Sequence, residues 1–200
     1  VLALTLCVAY LLGSFPTGVI LSRTFAGDDV REHGSGNPGA SNVARTFGFA
    51  LGATVGVTDI LKGLLAVLLG RWLGLSGAGL VLAGAAAVLG HDYSVFLRFA
   101  GGKGVATTLG AGVALLPIAG IAAMLLWGAA ILVTRYSSLA SLMALAALPI
   151  AIVLLRGDPS FVIGTFVLFV LALWKHRENI SRLWNGTERK FRSLKPVNGA

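Results

Sequence analysis

From Gly104 to Thr134 the chain runs for 31 residues without a charged side chain. As one helix this run would extend about 46 Å, against roughly 30 Å of bilayer hydrocarbon. Pro117 lies inside it, and a proline removes an N–H and clashes with the preceding turn. The run therefore reads as two short spans, near 104–116 and 118–134. Comparable stretches recur at Val1–Ser22, Phe47–Gly70 (interrupted by Asp59 and Lys62), Trp72–Gly90, Tyr136–Leu155 and Pro159–Trp174. Together they predict an all-α integral membrane protein, a polytopic bundle of about seven transmembrane helices. The length of the first stretch and its lack of a basic flank argue against a cleavable signal peptide. Only 12% of the 200 residues are charged and 56% are hydrophobic. A soluble domain carries about a quarter charged residues, and a disordered chain is far less apolar. The length suggests one domain over 1–200, ending in a basic tail over 184–200. Cys7 has no partner for an internal disulfide and sits in an apolar run, so it reads as packing.

Sixteen Lys and Arg face 8 Asp and Glu, a formal charge of +8. In a soluble chain this would suggest nucleic acid. In one this apolar it suggests cytoplasmic loops beside an anionic leaflet, and no nucleic-acid partner. With seven spans and the N-terminus outside, Arg23, Arg31, Arg45, Arg98, Lys103, Arg135 and seven tail residues fall inside, 13 of the 16 cations. Only Arg71 and Arg156 fall outside, and Lys62 stays in the membrane. Six spans in either direction give a weaker asymmetry. The polar segments Arg23–Arg45, His91–Lys103, Arg135–Ser141 and the tail from Lys175 then share the cytoplasmic face, where one composite active site is expected.

The first segment contains Gly34-Ser35-Gly36-Asn37-Pro38-Gly39-Ala40-Ser41-Asn42, followed by Arg45. Glycines allow positive φ and close backbone approach to a ligand. N–H groups in such turns hold anions, and Arg45 adds a fixed charge suited to phosphate. The same composition also makes an ordinary tight turn. The second segment contains His91-Asp92-Tyr93 and Gly101-Gly102-Lys103-Gly104-Val105-Ala106-Thr107. A glycine turn bearing a lysine ahead of a helix suits phosphate; a basic residue snorkelling at a membrane boundary is the alternative. The spacing is not a Walker A motif. Arg135 fits a helix anchor or a ligand contact equally, ahead of Ser141. His176 and Asn179, three apart, share a helix face, whereas Arg177, Arg182 and the last basic residues read as lipid-surface anchors. Asp59 and Lys62 are likewise three apart within an apolar span. They fit a mutual ion pair or a Lys62 that reaches the inner site.

These segments resemble one family, the PlsY-type bacterial glycerol-3-phosphate acyltransferases. The resemblance rests on SGNPGASN at Ser35–Asn42, DILKG at Asp59–Gly63, GHDYSVFLRFAGGKGVAT at Gly90–Thr107, TRYSSLAS at Thr134–Ser141 and HRENISRL at His176–Leu183. Each block is weak alone, but five in order are specific. Ser41 stands where the family commonly has Thr, which keeps the hydroxyl, and Ser94 where Pro is common.

The resemblance implies an acyl phosphate:glycerol-3-phosphate O-acyltransferase of the bacterial inner membrane. It would make lysophosphatidate and phosphate, the first acylation of phospholipid biosynthesis. It implies membrane lipid as surroundings and a functional link to an enzyme producing acyl phosphate. No cofactor is expected, and no carboxylate-rich cluster calls for a metal, since Arg and Lys suffice to handle phosphate. Lys103, His176 and Asn179 are the expected catalytic residues. Ser35, Asn37, Asn42, Arg45, Gly101, Gly102, Gly104, Thr107 and Ser141 are expected to bind substrate, with the Gly101–Thr107 loop taking the acyl phosphate. Acyl phosphate is already activated, so no covalent enzyme intermediate is required. No His is followed by an Asp at the fifth position, which argues against the His-x4-Asp acyltransferase mechanism. Two proton acceptors remain, His176 and the substrate phosphate, the second being favoured. A transporter for a phosphorylated anion fits the cations but not their clustering at one face. A membrane scaffold would leave the polar segments without a role.

Overall fold

The computed structural model describes residues 1–191, and among them every regular element is helical. The helices are α1 (Leu2–Ser14), α2 (Thr17–Ala26), α3 (Ala40–Phe47), α4 (Phe49–Trp72), α5 (Ala78–Asp92), α6 (Val105–Leu115), α7 (Pro117–Thr134), α8 (Ser137–Leu154), α9 (Pro159–Lys175) and α10 (Arg177–Trp184). Residues 192–200 of the expected basic tail lie outside the described residues.

Each of the seven apolar stretches contains a helix, but they differ in reach. Five spans are long and apolar enough to cross a membrane; taking α9 with α10, bent by 63°, as one span makes six. One of the five, Leu2–Ala26, is α1 and α2 together, broken at Phe15-Pro16. The 31-residue run divides where Pro117 predicts. α6 ends at Leu115, Leu116 is extended, and Pro117 takes the first helical position of α7, where its missing N–H costs nothing. α6 has 11 residues, a rise of about 16 Å, shorter than the usual span. Its C-terminal end is answered by Arg71, whose Nη2 donates to the Ala114 carbonyl at 2.9 Å. A cation at a helix C-terminus also opposes the helix dipole.

α6 packs most intimately against α4, and small residues permit it. A side chain at Gly63 would collide with the Thr107 carbonyl, and one at Gly110 with the Ile60 carbonyl. Backbone approach of this kind replaces the hydrophobic driving force that lipid cannot provide. α7, α8 and α9 add a second apolar layer around Leu145, Leu148 and Ile152.

Asp59 and Lys62 form the ion pair, fully inside the bundle. Lys62 Nζ donates to Asp59 Oδ1 at 2.7 Å and to the Phe15 carbonyl at 2.5 Å. The second contact satisfies an acceptor freed where α1 breaks before Pro16. His91 Nδ1 lies 3.6 Å from the same carboxylate oxygen. Lys62→Met strands a buried carboxylate and is expected to cost about 3–5 kcal/mol. Thermal unfolding in detergent checks this. The Asp59→Leu/Lys62→Met double variant is expected to lose less, since it leaves no unpaired charge.

Candidate active site

The loops that follow α2, α5, α7 and α9 meet at one end of the bundle, and the chemistry-bearing side chains meet with them. α3 presents Arg45, whose Nη1 donates to Ser137 Oγ at 3.4 Å and whose guanidinium lies 5.3 Å from the centre of the Phe191 ring. Burial lowers the Arg45 pKa from its ordinary value, which marks the charge as poorly hydrated. Ser141 Oγ donates to the Ser137 carbonyl at 2.7 Å and receives Trp127 Nε1 at 3.2 Å. The first turn of α8 is thus fixed from both sides.

Lys103 comes from the glycine loop and donates to Asn179 Oδ1 on α10. Asn179 Nδ2 in turn donates to Glu188 Oε1 at 2.6 Å. Glu188 also accepts from Ser138 Oγ at 2.8 Å and from Arg182 Nε at 2.8 Å. Burial alone raises the Glu188 carboxyl, but the hydrogen bonds from Asn179, Arg182 and Ser138 outweigh it and hold the group below its ordinary value. Burial pushes the Lys103 ammonium down to about 8, and Arg182 pushes in the same direction. Arg182 is therefore tied to the site rather than free as a lipid anchor. Glu188 was not anticipated from the sequence. Its signal is faint, a lone acid among Arg182, Arg189 and Lys190. The part of the tail up to Phe191 docks here as well, with Phe191 N donating to the Arg135 carbonyl at 2.8 Å.

His176 forms the bend between α9 and α10 and is buried. Its Nδ1 lies 2.8 Å from the Ala172 carbonyl. That oxygen only accepts, so Nδ1 carries the hydrogen and Nε2 of the neutral ring keeps its lone pair. The charges that act on the ring come from Lys103, Glu188 and Lys175.

The glycine loop differs from a simple N–H cradle. Gly101 N donates to the Asp92 carbonyl at 3.3 Å and Gly102 N to the His91 carbonyl at 2.9 Å. These two donors are spent on holding the loop on the end of α5. Gly104 has φ +66°, a left-handed turn that glycine adopts without strain and that starts α6 at Val105. The N–H groups from Lys103 to Ala106 have no backbone partner among the described residues, as expected at a helix start. They are the loop's free anion donors, beside the Lys103 ammonium. Thr107 is fully buried and its hydroxyl has no partner among the described residues. Beneath Gly104 lies Asp92, also buried, with neither carboxylate oxygen hydrogen-bonded among the described residues.

In the first segment Ser35 is exposed and its N–H donates to Asn42 Oδ1 at 3.1 Å. Asn42 Nδ2 donates to the Val30 and His33 carbonyls at 3.2 and 3.0 Å. The Asn42 amide is thereby spent on holding the loop, behind the surface that Ser35 presents. Asn37 Oδ1 accepts from Gly39 N at 2.9 Å, which closes a turn ahead of α3. The structure thus brings Arg45, Lys103, Ser141, His176 and Asn179 to one end of the bundle. Asn37, Asn42 and the N–H groups of Gly101 and Gly102 are engaged in shaping the loops.

Comparison with known proteins matches this architecture along nearly its whole length. A family model described as glycerol-3-phosphate acyltransferase matches residues 3–186. The glycerol-3-phosphate acyltransferase of Geobacter metallireducens is 50% identical over 190 residues, covering 95% of this chain and 97% of the relative. That of Geobacter sulfurreducens is 45% identical over 186 residues, covering 93% and 95%. The crystal structure of PlsY (YgiH), an integral membrane glycerol 3-phosphate acyltransferase, in its glycerol 3-phosphate form superposes with a TM-score of 0.92 at 37% identity, covering 99% of both chains. Its lysophosphatidic acid form gives 0.88 at 36%, covering 96% of both. With its helices, its loops and most of its length in common with these proteins, the chain belongs to the glycerol-3-phosphate acyltransferase family.

Proposed function

We propose that the protein transfers an acyl group from acyl phosphate to a hydroxyl of glycerol 3-phosphate, releasing 1-acyl-glycerol 3-phosphate and phosphate. This would be the first acylation of phospholipid biosynthesis, fed by an enzyme that produces acyl phosphate. The observation that carries the reading is the meeting of two half-buried cations, Lys103 and Arg45, with the open N-terminus of α6 at one end of a membrane bundle. Two phosphorylated substrates need that much fixed positive charge. Cys7 is exposed on α1, remote in sequence from every site segment, and supplies no nucleophile there. The single domain spans 1–200 in the cytoplasmic membrane, with the N-terminus outside and the site facing inward.

In this mechanism Ser35 and Arg45 hold glycerol 3-phosphate, Ser141 joins them by turning its hydroxyl away from the Ser137 carbonyl, and the N–H groups from Lys103 to Ala106 hold the acyl phosphate group. The glycerol hydroxyl oxygen attacks the acyl carbonyl carbon, the carbon–oxygen bond to phosphate breaks, and the departing phosphate takes the hydroxyl proton. Lys103, aimed by Asn179, neutralises charge developing on that phosphate. His176 Nε2 accepts from the neighbouring glycerol hydroxyl and so orients the attacking one. His176→Asn is then expected to cost a modest fraction of turnover; complete loss at every pH would assign His176 as the base.

Purified protein mixed with acyl phosphate and glycerol 3-phosphate is expected to form lysophosphatidate, while acyl-CoA in a parallel reaction is not used. Turnover with acyl-CoA alone would overturn the donor assignment. Because the ammonium form of Lys103 is the active one, kcat/KM is expected to fall as pH rises through about 8, approaching tenfold per pH unit above it. Arg45→Ala is expected to raise KM for glycerol 3-phosphate about tenfold or more, from the lost charge-assisted hydrogen bonds. A reporter fused after Ala200 and found outside the cytoplasm would overturn the orientation.

A further inference from the structure

A second cationic recess lies apart from the candidate active site. It is a cavity of about 440 Å³ between α2 and the turn at 95–98, walled by Pro16, Ile20 and Phe96 and edged by Arg23, Arg31 and Arg98. That volume lies in the range of about 300–1,000 Å³ usual for small-ligand sites. No acidic residue lines it, and neither do Arg45, Lys103, His176 and Asn179.

The arginines are arranged rather than scattered. Asp29, buried just behind, accepts from Arg31 Nη2 at 2.7 Å and Nε at 3.1 Å, and from Arg23 Nη2 at 2.8 Å. The hydrogen bond from the Arg31 side chain holds the Asp29 carboxyl well below the usual carboxylate range. One carboxylate therefore fixes two guanidiniums, and the remaining N–H groups of both have no side-chain partner among the described residues. Arg98 has no acidic partner among the described residues. It sits at φ +52° and Phe99 follows at +63°, a backbone that non-glycine residues seldom adopt. The lining itself thus carries three arginines and no acid, while Asp29 behind it pairs with two of them and Glu32 acts on Arg31 from the same loop. The wall beside them is apolar and open to the outer surface of the bundle, where Phe96 is 58% exposed and Ile20 39%.

A soluble phosphate would satisfy the arginines and leave the apolar wall bare. An amphiphile with a phosphate at one end satisfies both. We propose that this recess binds the phosphate of an anionic glycerophospholipid from the surrounding leaflet, with its chains against Ile20 and Phe96. Charge-assisted, forked N–H contacts of arginine are the usual means of holding such a group.

Native mass spectrometry of the purified full chain, offered phosphatidylglycerol or phosphatidylcholine with matched chains, tests this. One phosphatidylglycerol per chain is expected to be retained in preference to phosphatidylcholine. Arg98→Asn, which tolerates the left-handed backbone, and Arg23→Gln are each expected to lower that retention about tenfold. Acyl transfer in lipid-free detergent is expected to be unchanged in both, which also shows that each variant is folded. Should one of them fail to fold, the other variant and the wild-type lipid preference decide. Equal retention of the two lipids, or retention unaffected by the substitutions, would overturn the proposal. So would displacement of phosphatidylglycerol by inorganic phosphate or glycerol 3-phosphate, which would assign the recess to a soluble anion.

Discussion

A Lys103→Ala enzyme is expected to insert and fold normally yet turn over about 10²–10³-fold more slowly. The loss, about 2.7–4 kcal/mol, is the usual cost of taking one preorganised donor away from developing negative charge. A surface lysine would not justify this size, because a hydrated ammonium interacts weakly through water. Lys103 is different on two counts. Burial has pushed it down to about 8, so water stabilises its charge poorly and a phosphate has more to offer. Its ammonium is also directed, since it donates to Asn179, which Glu188 holds from the other side. The reorganisation that a free lysine would undergo at the moment of reaction is therefore already complete. Lys103→Gln keeps much of the length without the charge and is expected to resemble the alanine variant. Steady-state kinetics on purified variants, with the unfolding midpoint measured alongside, check both. Near-normal rates in either would remove Lys103 from the chemistry.

Much of the bundle was legible because a bilayer imposes coarse rules. Long stretches with few or no charges mark the seven apolar segments, and Pro117 marks the division of the longest run. The break at Phe15-Pro16 was harder to see. Nothing in an apolar run signals that Lys62, 47 residues away, will supply a donor for the freed Phe15 carbonyl. The site was legible as a set of residue types, since phosphate chemistry restricts the choice to Arg, Lys, hydroxyls and glycine turns. Which N–H groups remain free was not legible. Gly101 and Gly102 look like ligand donors in sequence and are spent on the Asp92 and His91 carbonyls, because the loop must be held on α5 before it can hold anything else. Glu188 was hidden for a related reason. An acid in a basic tail matters only when the tail folds back on Ser138, Asn179 and Arg182, and local periodicity does not encode that return.

Gly102→Ala is expected to lower kcat/KM about 10²-fold, and His91→Ala in the same chain to restore part of the loss. The cause is contact rather than charge. A Cβ on Gly102 would overlap the His91 imidazole, with Nε2 the nearest atom. That ring cannot simply turn aside, because its Nδ1 faces the Asp59 carboxylate at 3.6 Å and the carboxylate is fixed by Lys62 at 2.7 Å. The loop must move instead, and Lys103 is the next residue. Misplacement by about 1 Å of a group that positions a reaction costs on the order of 10²-fold. His91→Ala alone leaves the glycine loop less supported and is expected to cost about tenfold, a smaller effect because the two backbone hydrogen bonds to residues 91 and 92 remain. Removing the ring opens space for the new methyl group, so the double variant is expected to be faster than the product of the two single losses. Residues in direct contact couple in this way, whereas independent ones add. Additive losses in the four-member cycle would mean that His91 and Gly102 act separately, and that the buried Asp59–Lys62–His91 cluster has no hold on the loop that carries Lys103.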